Sequence, residues 1–234
     1  MLDVAFRIVL AALPAAALIE WFYRLDRARP EPIGLLGRSV LYGFLATLPA
    51  AAVEALLLRF GPRGEGILSW LFDAFIVAGL VEEGIKYFFV RRYLYRRPEF
   101  DEYFDGILYA ACVSLGFAFA ENVLYGYGNS VTLLFRAFTA VPLHAAVSGI
   151  MGYWIGRAKL EGAESGAASE TSRPPRAVRG LLEAAFLHGA YDFFLFTRSA
   201  WAILSLPVLI AAVVRLLVLV RDAKRRDGSG EAPV

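Results

Sequence analysis

Residues 67–90 read ILSWLFDAFIVAGLVEEGIKYFFV. The stretch is long and apolar enough to cross a bilayer core, which takes roughly 20 mostly apolar residues. It nevertheless carries Glu82, Glu83 and Lys86 in its second half. Ionisable groups within a span are costly, and they default to a functional reading. Six further stretches have the same length and character: Val4–Tyr23, Leu36–Leu58, Phe104–Tyr127, Leu133–Ile155, Leu181–Thr197 and Ala200–Val220. Apolar residues make up 58% of the chain and the mean hydropathy is +0.54, well above an ordinary globular domain. The expectation is an all-α, polytopic membrane bundle of about seven transmembrane helices.

Residues 1–226 are expected to form one membrane-embedded domain. Glu161–Pro175, rich in Gly, Ala, Ser and Glu, reads as a flexible linker. Residues 227–234 read as a disordered tail. The first stretch has small residues at Ala15-Ala16-Ala17 but Asp3 ahead of Arg7, the wrong flank for a secretory signal, so it is read as a retained span. Cys112 is the single cysteine, which excludes an intramolecular disulfide.

Lys/Arg placement sets the orientation. One set of connections holds Arg24, Arg27, Arg29 and Arg38, then Arg91, Arg92, Arg96 and Arg97. The same side collects Arg157, Lys159, Arg173, Arg176 and Arg179, then Arg221, Lys224, Arg225 and Arg226. The other side has only Arg59, Arg63 and Arg198. The basic side is the cytoplasm, so the amino terminus is expected outside and the carboxyl terminus inside. The net charge of +2 is thus an orientation signal and points to no nucleic-acid partner.

Some polar residues have an ordinary explanation. Glu20, Glu54, Asp73 and Glu183 lie toward span ends, within reach of the interface, and Arg215 can snorkel. Four clusters do not. In the first, Lys86 is i,i+4 to Glu82 and i,i+3 to Glu83. An ion pair explains one of these carboxylates, and neighbours set about 100° apart are not expected to face one partner helix together. The second is Phe117-Ala118-Phe119-Ala120-Glu121-Asn122, which taken alone could be interhelical glue. The third puts His144, Ser148, Gly152 and Gly156 on one helix face, at the small-residue spacing that lets helices approach closely. The fourth is His188-x-x-x-Asp192, which suits an Asp orienting an imidazole or two ligands of one metal. Helix rise places Glu121, His144 and His188 in the outer half of the bilayer and Glu83 nearer its middle, an offset of about 5–10 Å.

Both histidines of the chain lie within spans. With neutral imidazoles, Glu82, Glu83, Lys86, Glu121 and Asp192 sum to −3, a buried charge that calls for protons or a divalent cation. Imidazole plus carboxylate is the donor set of catalytic zinc, and a neighbouring carboxylate can take a proton from its water.

Taken together, Glu82-Glu83-x-x-Lys86, Phe117-x-x-x-Glu121-Asn122, His144-x-x-x-Ser148-Gly149 and His188-x-x-x-Asp192, in order on consecutive helices, resemble the PrsW family of bacterial intramembrane proteases. That family belongs to the wider group that includes the CAAX prenyl endopeptidases. The likeness covers Glu82 to Asp192. It implies an intramembrane endopeptidase of the bacterial cytoplasmic membrane, making the first cut in a membrane-bound anti-sigma factor or a similar single-span substrate. Carried over, Glu82 or Glu83 is the general base. Glu121, His144 and His188 are metal ligands or polarising groups, with Glu83 or Asp192 completing the set, and Lys86, Asn122 and Ser148 support them. The group is described both as metalloproteases, zinc first, and as glutamate proteases that need no metal.

Other protease chemistries fit poorly: there is no His-Glu-x-x-His, no Gly-x-Ser-Gly turn and no Gly-x-Gly-Asp. An ion-coupled transporter is the strongest alternative, although no inverted repeat is visible. A non-catalytic scaffold is the other.

Overall fold

In the computed structural model the described residues are 2–26, 29–125, 130–164 and 174–228. Arg27, Arg173, the middle of the expected linker, and residues 126–129 and 229–234 fall outside them. The described elements are all helical. Helix α1 is Leu2–Leu25 and α2 is Ile33–Phe60. Helix α3 runs without a break through Ile67–Leu71, Phe72–Glu82, Glu83–Phe89 and Val90–Leu94, the second and fourth segments having the wider hydrogen bonding of a π-helix. Then come α4 (Tyr103–Tyr125), α5 (Ser130–Phe138), α6 (Ala140–Glu164), α7 (Pro174–Phe196) and, after a 3₁₀ turn at Ala200–Leu204, α8 (Ser205–Gly228).

Five of the described helical stretches are long and apolar enough to cross a membrane: Ala5–Leu25, Ile33–Phe60, Tyr103–Leu124, Ser130–Gly162 and Ala200–Gly228. The other two long ones, α3 and α7, carry more charge, Asp73, Glu82, Glu83 and Lys86 on one and Arg176, Arg179, Glu183 and Asp192 on the other. These two helices hold half of the candidate site.

Helix α4 is the axle of the bundle, packed by α1, α2, α6 and α8. From Ile107 to Val113 it has no exposed surface. Large apolar side chains are exposed on the outer helices, among them Phe6 and Leu13 on α1, Leu48 and Leu56 on α2, and Ile210 and Val214 on α8. In water such a surface would be a liability; against lipid it is the expected exterior.

Two close approaches set the register around the site. A Cβ on Gly106 of α4 would lie 2.4 Å from the carbonyl oxygen of Gly152 on α6, so the two backbones touch where the small-residue face was expected. A Cβ on Gly79 of α3 would lie 2.5 Å from the carbonyl of Ala185 on α7, and one on Gly189 would lie 2.9 Å from Phe75 Cα. Only glycine admits this contact, and it brings the Glu82–Lys86 turn level with His188.

Several boundaries differ from the sequence reading. The expected span Leu133–Ile155 is divided at Thr139. Pro142 lacks the N–H that would have bonded back to Phe138, so the helix ends there and a new one starts. Both ends of the expected linker Glu161–Pro175 are helical, and its middle lies outside the described residues. Glu161 still belongs to α6, where it pairs with Arg157 and Arg176, and Pro174 already opens α7, as suits a proline in a first turn. The tail starts later than 227: Asp227 is in α8, and its carboxylate accepts the backbone N–H of Tyr103 at 2.7 Å and of Phe104 at 3.0 Å, capping α4. Glu183 and Arg215 do not reach separately for the interface. They pair across α7 and α8, Nε to Oε1 at 2.6 Å, because a mutual ion pair satisfies both inside the bundle.

Candidate active site

Lys86 lies at the centre of a polar cluster, with no exposed surface of its own. It donates to Glu82 Oε2 at 3.2 Å and to Glu83 Oε1 at 2.8 Å, and its Nζ is 3.1 Å from His144 Nδ1. Its remaining side packs on the face of Phe117, 4.1 Å from the ring centre, a cation–π contact strengthened by the absence of water. Phe117 is thus part of the site. Both carboxylates of the Glu-Glu pair face the same partners, contrary to the 100° expectation. Their side chains are long enough to converge on Lys86, and the π-helical turns that end at Glu82 alter the ordinary angular step.

Glu83 is fully enclosed and both of its oxygens are committed. Oε1 receives Lys86 and lies 3.0 Å from His188 Nδ1; Oε2 accepts the Ser148 hydroxyl at 2.7 Å. Ser148 Oγ is also 2.9 Å from Ser114 Oγ, and Ser114 donates to the His144 carbonyl at 2.8 Å. Ser114 escaped the sequence reading, since one serine in an apolar helix has no distinguishing pattern.

His188 turns its other nitrogen, Nε2, toward Asp192 Oδ2 at 3.4 Å and Glu82 Oε2 at 4.0 Å. His144 Nε2 is 2.7 Å from Glu121 Oε2. With Lys86 as the donor to Nδ1, His144 holds its proton on Nε2 and donates it to Glu121. The two imidazoles meet edge to face with centres 4.9 Å apart. The expected depth offset between Glu83 and the histidines is absent at these distances, because the α3–α7 glycine contact sets the relative height of the helices.

Glu121 also binds Arg136 of α5 at 3.3 Å, and Arg136 Nε donates to Asn122 Oδ1 at 2.6 Å. Asn122 Nδ2 is buried with no partner among the described residues. Arg136 was legible only as a charge near a span; its role depends on the short α5 folding back over α4.

A cavity of about 1110 Å³ opens against this cluster. Glu82, Glu121, His144, His188 and Asp192 line it, whereas Glu83 and Lys86 stand behind its wall. Glu54, Asp73 and Arg136 line it too, so Glu54 and Asp73 face the cavity rather than the interface. The volume is slightly above the usual range of a small-molecule pocket, about 300–1,000 Å³.

A metal can be tested against the donor set. One ligand atom each from Glu82, His144 and His188 lies within 4.8 Å of the others; donors about 2 Å from a common ion stand at most about 4 Å apart, so small side-chain movements would close the trio on one ion. The Nδ1 of His188 faces a carboxylate, the usual arrangement behind a metal-bound imidazole. Were His144 to bind through Nε2, its proton would move to Nδ1, and Lys86 would keep its two carboxylates and give up that contact. The residues fit. Glu82 takes the position in the compact trio that the sequence reading gave to Glu121.

The family described as PrsW family intramembrane metalloprotease matches residues 31–220. Relatives named Protease PrsW are similar over most of their length. The one from Bacillus subtilis (strain 168) is 33% identical over 207 residues, covering 88% of this chain and 90% of that protein. The one from Geobacillus kaustophilus (strain HTA426) is 38% identical over 190 residues, covering 80% and 79%. The one from Clostridioides difficile (strain 630) is 32% identical, covering 86% and 84%. No solved structure matches. A family match across both ends of the polar cluster, with relatives alike along nearly their whole chains, leads to one conclusion: this chain belongs to the PrsW family of intramembrane proteases.

Proposed function

We propose that the chain hydrolyses a peptide bond, in or beside the bacterial cytoplasmic membrane, of a single-span protein such as an anti-sigma factor. The observation that carries this reading is the gathering of two imidazoles and three carboxylates on the wall of one cavity among apolar helices. The Lys/Arg asymmetry supports an amino terminus outside and a carboxyl terminus in the cytoplasm.

Glu82, His144 and His188 would hold a divalent metal, zinc by donor type, which when bound acidifies water and polarises a carbonyl. Glu121 is then the carboxylate on the cavity wall that takes a proton from the attacking water and returns it to the departing amine. Arg136 holds Glu121 in place. Glu83, with both oxygens occupied, positions Lys86 and His188 and does not touch the substrate, and Asp192 orients His188. Without a metal, Glu82 is the cavity carboxylate best placed to activate water, the imidazoles polarising the carbonyl.

Cleavage of a single-span substrate by the purified chain in proteoliposomes tests the proposal, with Glu82→Gln and Glu121→Gln as inactive controls. Ion flux through the same vesicles without any peptide cleavage would replace it with the transporter reading.

A further inference from the structure

A second group of acids lies apart from the catalytic cavity. Asp26, Glu31 and Asp105 are buried together where the connection from α1 to α2 meets the start of α4. Each offers an oxygen within 4.8 Å of the other two. Asp105 precedes Glu121 on the same helix by a distance of about 24 Å at 1.5 Å per residue, and none of the three lines the cavity.

Each carboxylate is anchored through one oxygen. Asp26 Oδ2 accepts the Glu31 N–H at 3.1 Å, and Glu31 Oε2 accepts the Tyr109 hydroxyl. Asp105 Oδ2 accepts the N–H of Asp101 at 2.9 Å and of Glu102 at 2.6 Å. Asp105 has no exposed surface, yet its Oδ1 has no hydrogen-bond partner among the described residues. Buried polar atoms are nearly always satisfied, so this oxygen calls for a bound cation or for a proton shared with the neighbouring Glu31 carboxyl. Lys224, the cation nearest in charge to Asp26, donates to the Leu25 carbonyl. Burial pushes the carboxyls of Asp26 and Glu31 up, to about 6 and about 7, outweighing the opposing charge of Lys224 at Asp26.

We propose that Asp26, Glu31 and Asp105 form a binding site for a hard divalent cation, Mg²⁺ or Ca²⁺, distinct from the catalytic centre. An all-carboxylate set prefers such ions, whereas imidazole suits zinc. The ion satisfies Asp105 Oδ1 and fastens the α1–α2 connection to the axial helix. It acts as a staple and takes no part in the hydrolysis.

The test uses the full chain in detergent micelles, with Mn²⁺ as a paramagnetic probe read by electron spin resonance. The wild type is expected to bind Mn²⁺ at a site from which Mg²⁺ or Ca²⁺ displaces it. His144→Ala/His188→Ala retains that site, while Asp105→Asn and Glu31→Gln each weaken it at least 10-fold. Since a variant can fail to fold, thermal unfolding of the wild type supplies a second reading: Mg²⁺ or Ca²⁺ raises the midpoint and EDTA lowers it. Absence of displaceable Mn²⁺ on the wild type, or equal binding by folded Asp105→Asn, overturns the proposal in favour of a proton shared between Glu31 and Asp105.

Discussion

His188 Nδ1 stands 3.0 Å from Glu83 Oε1, joining side chains 105 residues apart on α7 and α3. Because Glu83 also holds Lys86 and Ser148, this single carboxylate connects three helices behind the cavity wall. On the proposed mechanism, residues in front of the wall carry the chemistry and those behind it fix their positions. The two classes should respond differently to substitution.

Glu82→Gln and Glu121→Gln each keep their shape and lose a carboxylate on the cavity surface. Each is expected to lower the cleavage rate by roughly 10²-fold or more, the scale for a lost general base or electrostatic stabiliser. Folding should be little changed, because Gln retains a hydrogen-bonding oxygen. Rates within about twofold of wild type for both variants, at matched amounts of folded protein, would refute the assigned roles.

His188→Ala removes a proposed ligand, and Asp192→Asn only its orienting partner at 3.4 Å. Zinc content of the purified protein should therefore fall to background in His188→Ala. In Asp192→Asn the affinity should drop by roughly 10–100-fold, the usual consequence of losing such a partner. Elemental analysis after dialysis against graded chelator checks the order. Equal metal content in wild type and His188→Ala would leave the metal-free glutamate mechanism in its place.

Lys86→Met leaves Glu82 and Glu83 buried without their common cation. Breaking a buried ion pair from one side costs roughly 3–5 kcal/mol, so Lys86→Met should unfold at markedly lower denaturant. Adding Glu82→Gln and Glu83→Gln to it should restore part of that loss, since the orphaned charges go with the substitution. If Lys86→Met proved as stable as wild type, the central position given to Lys86 would be wrong.

Gly79→Ala tests the helix contact. Its new Cβ would fall 2.5 Å from the Ala185 carbonyl, so α3 and α7 must separate. Overpacking of this kind costs roughly 1–3 kcal/mol. Activity should fall by more than stability alone explains, because Glu83 and His188 move apart. Gly84→Ala, with nothing within 4 Å of its Cβ, is the matched control and should behave as wild type.

Ser169→Cys tests the orientation. Cys112 is buried and is the only native thiol, so an added cysteine at position 169 can be labelled selectively. An impermeant maleimide should modify it in disrupted cells and leave it untouched in intact ones. Labelling in intact cells would invert the topology.

What the sequence determined by itself was the bundle and its chemical inventory. Spans are legible because a bilayer requires some 20 apolar residues and satisfied backbone groups from each of them, a local demand written into composition. Glu82, Glu83, Lys86, Glu121, His144, His188 and Asp192 stood out because charge in such segments needs a reason. Tertiary structure alone decided which carboxylate faces the cavity and which lies behind it. Glu82 and Glu83 are adjacent in sequence and share Lys86, and only the packing of α3 against α6 and α7 leaves one on the cavity wall and the other behind it, bonded to Ser148. The same holds for Arg136, Ser114 and the Asp26–Glu31–Asp105 group. Their partners come from distant segments, and a side chain's pairing across helices is fixed by packing, which no local pattern encodes.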